Sequence, residues 1–137
     1  MKILTVSDKI EKSFFKEHLL KKKGRNIDLI LACGDLPPYY LEYLLNVLNV
    51  PLFYVPGNHD ESPQNLLAKE KPFASGCRNL HCKIIEHKGL LIGGIGGSMR
   101  YKKGTYLFSE VQMKRKVKGW RIDCCLIKKN SGDISTF

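Results

Sequence analysis

The chain has 137 residues, 43% of them hydrophobic, and a net charge of +10, a size and composition suited to one globular domain rather than to a disordered chain. Asp8 interrupts the N-terminal apolar run too early for a secretory signal, and no stretch approaches the roughly 20 apolar residues of a membrane-spanning helix. Because its five cysteines are an odd number without a CxxC pair, a secreted disulfide framework is also disfavoured, and we expect a soluble, cytoplasmic protein with no membrane partner.

Apolar strand-like and helix-like segments alternate along the first 55 residues. The predicted strands are short apolar runs at residues 3–6, 27–33 and 51–55. The two helices predicted between them each place leucines and aromatic residues at helical spacing, namely Phe14, Phe15, Leu19 and Leu20 before Gly24, and Leu41, Leu44, Leu45 and Leu48 after Pro37 and Pro38. This order predicts an α/β fold with a parallel β-α-β-α-β core and right-handed crossovers.

Further strands and a basic segment are predicted after this core. Residues 82–86 and 90–95 predict a hairpin that turns at Lys88 and Gly89, and residues 109–117 predict a short, very basic helix. Residues 100–137 carry a net charge of +7, which leaves only +3 for the rest of the chain. The basic excess therefore belongs to the C-terminal part, and Cys33, at the end of the second strand, is predicted to be a small core residue.

Polar residues follow each of the three predicted parallel strands. Asp8, Asp35 and the run from Asn58 through His59 to Asp60 lie at the carboxyl ends of these strands, where ligands collect in parallel α/β sheets. Carboxylate and amide oxygens suit divalent cations, so Asp8, Asp35 and Asn58 are candidate metal ligands. His59 is a candidate catalytic acid and Asp60 its candidate orienting partner in a two-metal phosphoester-hydrolysing site.

The strings Val6-Ser7-Asp8, Gly34-Asp35 and Gly57-Asn58-His59-Asp60 resemble the first motifs of the calcineurin-like metallophosphoesterases. Residues 31–40 and 96–101 further resemble a bacterial branch of that family. The resemblance implies that Asp35 bridges two divalent ions of the manganese, iron or zinc class, with Asp8 on one ion and Asn58 on the other. It also implies His59 as the catalytic imidazole, a phosphate mono- or diester substrate, and the N-terminal half of an αββα sandwich.

Two features depart from the pattern of that family. The histidine that the family usually carries two residues after the first aspartate is replaced by Ile10, and no histidine follows His87 to match the later GH and GHxH motifs. The resemblance covers about residues 1–117, so we divide the chain into a metallophosphoesterase-like domain at 1–118 and an unmatched basic tail at 119–137. We hypothesise an early stop or frameshift near residue 118, and we expect the two ions to bind weakly.

The departures leave a second interpretation of function, in which the chain is a catalytically inactive fragment of a phosphoesterase that acts, if at all, as a basic binding module. Self-association is a further expectation, because half of a sandwich leaves apolar surface uncovered. Nucleic acid is a less favoured partner, for which Trp120 and the basic run 114–118 are the candidate contacts.

Two other patterns permit alternative sites. Cys77, His81, Cys82 and His87 permit a zinc cluster, although their spacing matches no common structural site. The glycine run 93–97 invites a dinucleotide interpretation, but the third glycine of GxGxxG would fall at Met99, and close backbone packing or a flexible turn near the site edge is the favoured explanation.

Overall fold

The computed structural model describes residues 1–60 and 74–131, with side chains described as far as residue 120. The fold is mixed α/β, and it confirms the predicted parallel β-α-β-α-β core followed by further strands. Residues 61–73 and the last six residues of the predicted tail lie outside the described residues.

A four-stranded parallel sheet forms the centre of the fold, with its strands in the order in which they occur along the chain. Its strands are β1 (Ile3–Val6), β2 (Leu29–Cys33), β3 (Leu52–Val55) and β4 (Arg78–Asn79). The first three match the predicted strands to within two residues. The fourth was not predicted, because two residues are too short to show a periodic pattern.

The helices that connect these strands are α1 (Glu17–Lys23) and α2 (Pro38–Leu48). The first predicted helix is divided, since Lys12–Phe15 form a 3₁₀ turn and Lys16 is extended at φ −83° and ψ 96°. α1 ends at Gly24 as predicted, and α2 begins at Pro38, where proline is tolerated because the first helical N–H has no partner in the helix.

Both faces of the sheet are covered. On one face the helices and the sheet share a core built around Leu20, Ile30, Tyr40, Leu44 and Leu52. On the other face Leu29 and Phe53 pack with Leu80 and Ile92. This alternation of neighbouring residues between two buried faces is the pattern expected of a central parallel strand.

The prediction that Cys33 is a core residue is wrong, because Cys33 is exposed. It is the last residue of β2, where the strand leaves the two covered faces and reaches the carboxyl edge of the sheet. The apolar run in the sequence continues through Cys33, and it therefore did not reveal where the covered part of the strand ends.

The hairpin is confirmed as β5 (Lys83–His87) paired antiparallel with β6 (Leu90–Gly94). Lys88 and Gly89 both have positive φ, 50° and 75°, as a two-residue hairpin turn requires. A short parallel pair follows, formed by β7 (Ser98–Met99) and β8 (Leu107–Phe108).

The basic helix is longer than predicted, since α3 runs over Glu110–Ser131. A single glycine at position 119 does not end it, because one glycine inside a helix costs only about 1 kcal/mol. The helix crosses the domain boundary predicted between residues 118 and 119, which stays a prediction. Within the described ranges, no helix is both long enough and apolar enough to cross a membrane.

Candidate functional site

The predicted site residues occupy the loops that follow β1, β2 and β3 at one edge of the sheet. The Asp8 N–H donates to the Gly34 carbonyl at 3.2 Å, which joins the ends of β1 and β2. The His59 N–H donates to Asp35 Oδ1 at 2.8 Å, which joins the ends of β2 and β3. Three segments far apart in the sequence are therefore linked at this edge, as parallel pairing requires.

The backbone turns sharply at the two aspartates. Asp8 and Asp35 both lie in the left-handed region, at φ 59° and 57°, which aspartate tolerates better than most residues. Gly34, just before Asp35, has φ 91°, a conformation that favours glycine. The short motifs in the sequence thus reflect backbone geometry as well as chemistry.

Gly34 and Gly57 approach each other closely. A Cβ atom on Gly34 would lie 2.7 Å from Gly57 Cα, and one on Gly57 would lie 2.2 Å from Asp35 Oδ1. Both distances are shorter than real Cβ contacts allow, so the approach of the two loops depends on glycine at both positions.

Asp60 also holds together the loops that contain Gly34 and Gly57. Its Oδ2 atom accepts the Gly57 N–H at 2.6 Å and the Asp35 N–H at 3.3 Å. Burial raises the pKa of the Asp60 carboxyl, the two N–H donors oppose that shift, and the nearby Asp35 carboxylate adds to it. Asp60 therefore positions backbone, whereas the side chain of His59 is exposed at the edge of the site.

Among the described residues, the side chains of Asp8 and Asn58 each make a polar contact within the site. The Ser7 hydroxyl donates to Asp8 Oδ2, and its Oγ also lies 3.1 Å from the Cys33 carbonyl oxygen, which competes for the same proton. Asn58 Nδ2 donates to the Tyr101 hydroxyl at 3.3 Å, which fixes the orientation of the amide. The motif at residues 96–101 indicates the family but does not reveal that Tyr101 lies beside Asn58.

The glycine run 93–97 packs against the site as expected. The Gly97 N–H donates to the Pro56 carbonyl at 2.9 Å, and a Cβ on Gly96 would lie 2.2 Å from that same oxygen. The run thus supports the residue that precedes the GNHD motif. This close backbone packing, rather than a dinucleotide site, accounts for these glycines.

The donors at this edge suit a divalent cation in type but not in number. Asp8, Asp35 and Asn58 offer hard oxygen atoms, which fit one ion of the manganese or iron class. In the part of the chain that the structure describes, no three His, Cys, Asp or Glu side chains gather in a way that could hold a metal ion. These described residues therefore offer oxygen donors of a suitable type, but they do not form a cluster that could hold a metal ion.

Ile10 shows what replaces the expected first histidine. It is half-buried and packs against the core cluster that contains Leu20 and Tyr40. The position that would carry a metal ligand in the family therefore contributes to the hydrophobic core here.

The alternative zinc cluster is not formed. Cys77, His81, Cys82 and His87 all belong to the described residues, which contain no such group of three ligands. His81 instead accepts a hydrogen bond from the Gly96 N–H, and His87 lies edge-on to Phe53.

Comparison with known proteins agrees with the motifs and the fold. The model of one protein family, described as calcineurin-like phosphoesterase, matches residues 1–121. No curated protein and no solved structure matches the chain. Because the family match covers most of the 137 residues and includes every candidate site residue, the chain belongs to the calcineurin-like phosphoesterase family.

Proposed function

We propose that the chain hydrolyses phosphate mono- or diesters at the edge formed by Asp8, Asp35, Asn58 and His59, with the help of divalent cations. The hydrogen bond from the His59 N–H to Asp35 Oδ1 carries this proposal. This hydrogen bond joins the loop that carries the His59 imidazole to the carboxylate of Asp35, a candidate metal ligand. The family, whose members generally use divalent metals, supports the same assignment.

Each residue then has a defined task. Asp8, Asp35 and Asn58 would hold the metal, which when bound supplies an activated water and offsets phosphoryl charge. His59 donates a hydrogen bond or a proton to a phosphate oxygen, for which an exposed imidazole is suited. Asp60 keeps the two loops together and thereby orients His59.

The two-ion centre remains part of the proposal only if donors outside the described residues complete it. Three side-chain donors leave half of an octahedral shell to water, so we expect one weakly bound ion as the basal state. An ion of the manganese, iron or zinc class is consistent with oxygen donors, of which manganese and iron are the better match.

The second candidate function is a binding module without catalysis. The shortage of ligands and the packing of Ile10 into the core favour it. Its candidate binding surface is the basic helix α3, where Lys114, Arg115 and Lys118 are exposed. Nucleic acid is less favoured as its partner, because Trp120 is only partly exposed and its indole N–H donates to the Lys83 carbonyl.

Self-association is also a proposal. β1 lies at one edge of the described sheet, and Ile3 on that strand is 37% exposed. A second copy that covers this edge would bury apolar surface, and analytical ultracentrifugation of the chain at several concentrations tests it.

Hydrolysis of nitrophenyl phosphate and bis(nitrophenyl) phosphate with added Mn²⁺ distinguishes the two functions. Asp35→Asn and His59→Ala should each abolish the activity. His18→Ala is the matched control, since His18 is an equally exposed histidine on α1. Metal-independent hydrolysis that survives both substitutions would refute this site, whereas no hydrolysis and no bound metal in the purified protein would support the binding module.

A further inference from the structure

Outside the candidate phosphoesterase site, three reactive side chains gather where α3 packs on the hairpin. Cys82 Sγ lies 3.5 Å from His81 Nε2 and 3.6 Å from Lys116 Nζ. All three residues are partly exposed. Neither the metal-binding residues nor the proposed phosphoester chemistry uses this cluster.

The histidine in this cluster directs a proton toward the sulfur. The Gly96 N–H donates to His81 Nδ1 at 3.0 Å, so the neutral ring carries its own proton on Nε2. Burial, together with the nearby Lys116 charge, lowers the pKa of His81 and favours that neutral ring. The Nε2–H group can therefore donate to Cys82 Sγ at 3.5 Å. Lys116 Nζ lies 3.5 Å from the same nitrogen, but as a second donor it makes no hydrogen bond to the protonated Nε2.

The lysine in this cluster is held beside the sulfur. Lys116 Nζ lies 4.5 Å from the centre of the Phe108 ring, and the same ring stacks on His81 at 5.9 Å. This cation–π contact limits where the ammonium group can move. The ammonium group therefore lies where it attracts an anionic reagent that approaches the sulfur.

The backbone at Cys82 is strained in a way that favours a role for its side chain. The Lys83 N–H donates to the Leu80 carbonyl at 2.9 Å, which closes a turn with Cys82 as its third residue. Cys82 has φ 55° at this position, where glycine is the unstrained choice. Strain of this kind concentrates at functional sites.

From this geometry we propose that Cys82 is a nucleophilic thiol that forms mixed disulfides with anionic low-molecular-weight disulfides. The Cys82 thiolate, whose proton has passed to water, attacks one sulfur of the reagent. A bond forms between these two sulfurs, the S–S bond of the reagent breaks, and its second sulfur leaves as a thiolate. Cys82 is thereby oxidised and the leaving half of the reagent is reduced, while Lys116 attracts the anionic reagent.

Modification of Cys82 should loosen the contact between α3 and the hairpin. Trp120, about one helical turn after Lys116, donates from its indole N–H to the Lys83 carbonyl at 3.4 Å. A Cβ on Gly93 would lie 2.8 Å from Trp120 Nε1, so the indole lies directly on β6. An adduct on Cys82 displaces Lys116, and Trp120, the single tryptophan of the chain, reports the change by its fluorescence.

The test measures the rate of mixed-disulfide formation at each cysteine of the folded, full-length chain. The reagents are the dianionic dithiobis(nitrobenzoate) and the cationic cystamine, and peptide mass spectrometry assigns the adducts. Cys33 is exposed and serves as the reference, whereas burial raises the pKa of the Cys77 thiol to about 11 and should leave it nearly inert. We expect Cys82 to react fastest and to prefer the anionic reagent more strongly than Cys33 does.

Two charge variants on the same helix sharpen the test. Lys116→Gln should slow the reaction of Cys82 with the anionic reagent by about five-fold, since two opposite unit charges about 4 Å apart attract each other by that factor even in water. Lys118→Gln makes the same charge change at an exposed position and should leave the rate unchanged, and Lys116→Arg should retain most of it.

Equal rates at Cys82 and Cys33, or equal rates in the two glutamine variants, would overturn the proposal. Should Lys116→Gln not fold, the wild-type preference for the anionic reagent decides the question, and a preference at Cys82 no greater than at Cys33 also overturns it. Tryptophan fluorescence that does not change on modification would overturn the loosening of α3. None of these readouts depends on phosphoesterase activity.

Discussion

Replacing Asp60 by alanine should destabilise the protein even in the absence of metal and substrate. Its Oδ2 atom is the acceptor for the Gly57 N–H at 2.6 Å and for the Asp35 N–H at 3.3 Å. Leaving a buried donor without a partner costs about 1–3 kcal/mol. Gly57 is buried and should account for most of this cost, whereas the longer bond to the half-buried Asp35 can be replaced by water.

Removing the half-buried Asp60 carboxylate offsets part of that cost, because burial raises the pKa of Asp60 and so disfavours its charged form. We therefore expect Asp60→Ala to lower the free energy of unfolding by about 2 kcal/mol, or the melting temperature by about 7 °C for a chain of this length. Urea unfolding followed by circular dichroism, without added metal, measures the first quantity, and a thermal melt measures the second.

Asp60→Asn is the matched variant, because its amide oxygen can still accept the Gly57 N–H, and it should lose less than about 1 kcal/mol. Glu86→Ala removes an exposed carboxylate from β5 and should stay within about 0.5 kcal/mol of wild type. If Asp60→Ala is as stable as Glu86→Ala, or if Asp60→Asn is as damaging as Asp60→Ala, the acceptor role of this carboxylate is refuted.

Three further outcomes are expected. Gly34→Ala should lower the free energy of unfolding in urea by about 2–4 kcal/mol, because φ 91° strains alanine and the new Cβ would lie 2.7 Å from Gly57 Cα. A loss below about 1 kcal/mol would contradict this packing. Ile10→His should lower the free energy of unfolding by about 1–2 kcal/mol without metal, since a half-buried apolar side chain is lost. Added Mn²⁺ should raise the melting temperature of this variant more than that of wild type. Equal shifts in the two proteins would show that position 10 does not reach the ion. Burial raises the pKa of Cys77 from 9.0 to about 11 and that of Tyr54 from 10.0 to about 12, so the unfolded chain loses these protons first. Stability should therefore be fully present below about pH 9 and fall as the pH rises toward 11, and urea midpoints that stay flat over this range would contradict the burial of both groups.

The parallel core and the convergence of its strand ends could be predicted because general rules govern them. Short apolar runs separated by amphipathic helices pair in parallel with right-handed crossovers, and this places Asp8, Asp35 and Asn58 at one edge. The helix after Pro38 was equally clear, because its leucines keep helical spacing. For the candidate site, the sequence predicted the family and the candidate residues, but it did not predict the hydrogen bonds between those residues.

Other features depended on tertiary structure that no local pattern reports. The extended Lys16 divides the first helix although Phe14 and Leu19 keep helical spacing on either side. Cys33 continues an apolar run, yet it lies beyond the covered part of its strand. The cluster of His81, Cys82 and Lys116 joins residues more than thirty positions apart, so only the packing of α3 on the hairpin reveals it.

The motifs that identify the family are held together here by interactions that need no metal. Asp35 Oδ1 accepts a backbone N–H from the GNHD loop, and Asp60 accepts the Gly57 and Asp35 N–H groups. Gly34 and Gly57 are required by their close approach, and Gly34 also by its positive φ. A chain that had lost catalysis would therefore still need these residues in order to fold, so their presence is strong evidence for ancestry and weaker evidence for hydrolysis. His59 differs from them because its exposed imidazole makes no comparable structural contact within residues 1–60 and 74–120, and its substitution therefore tests chemistry rather than the scaffold.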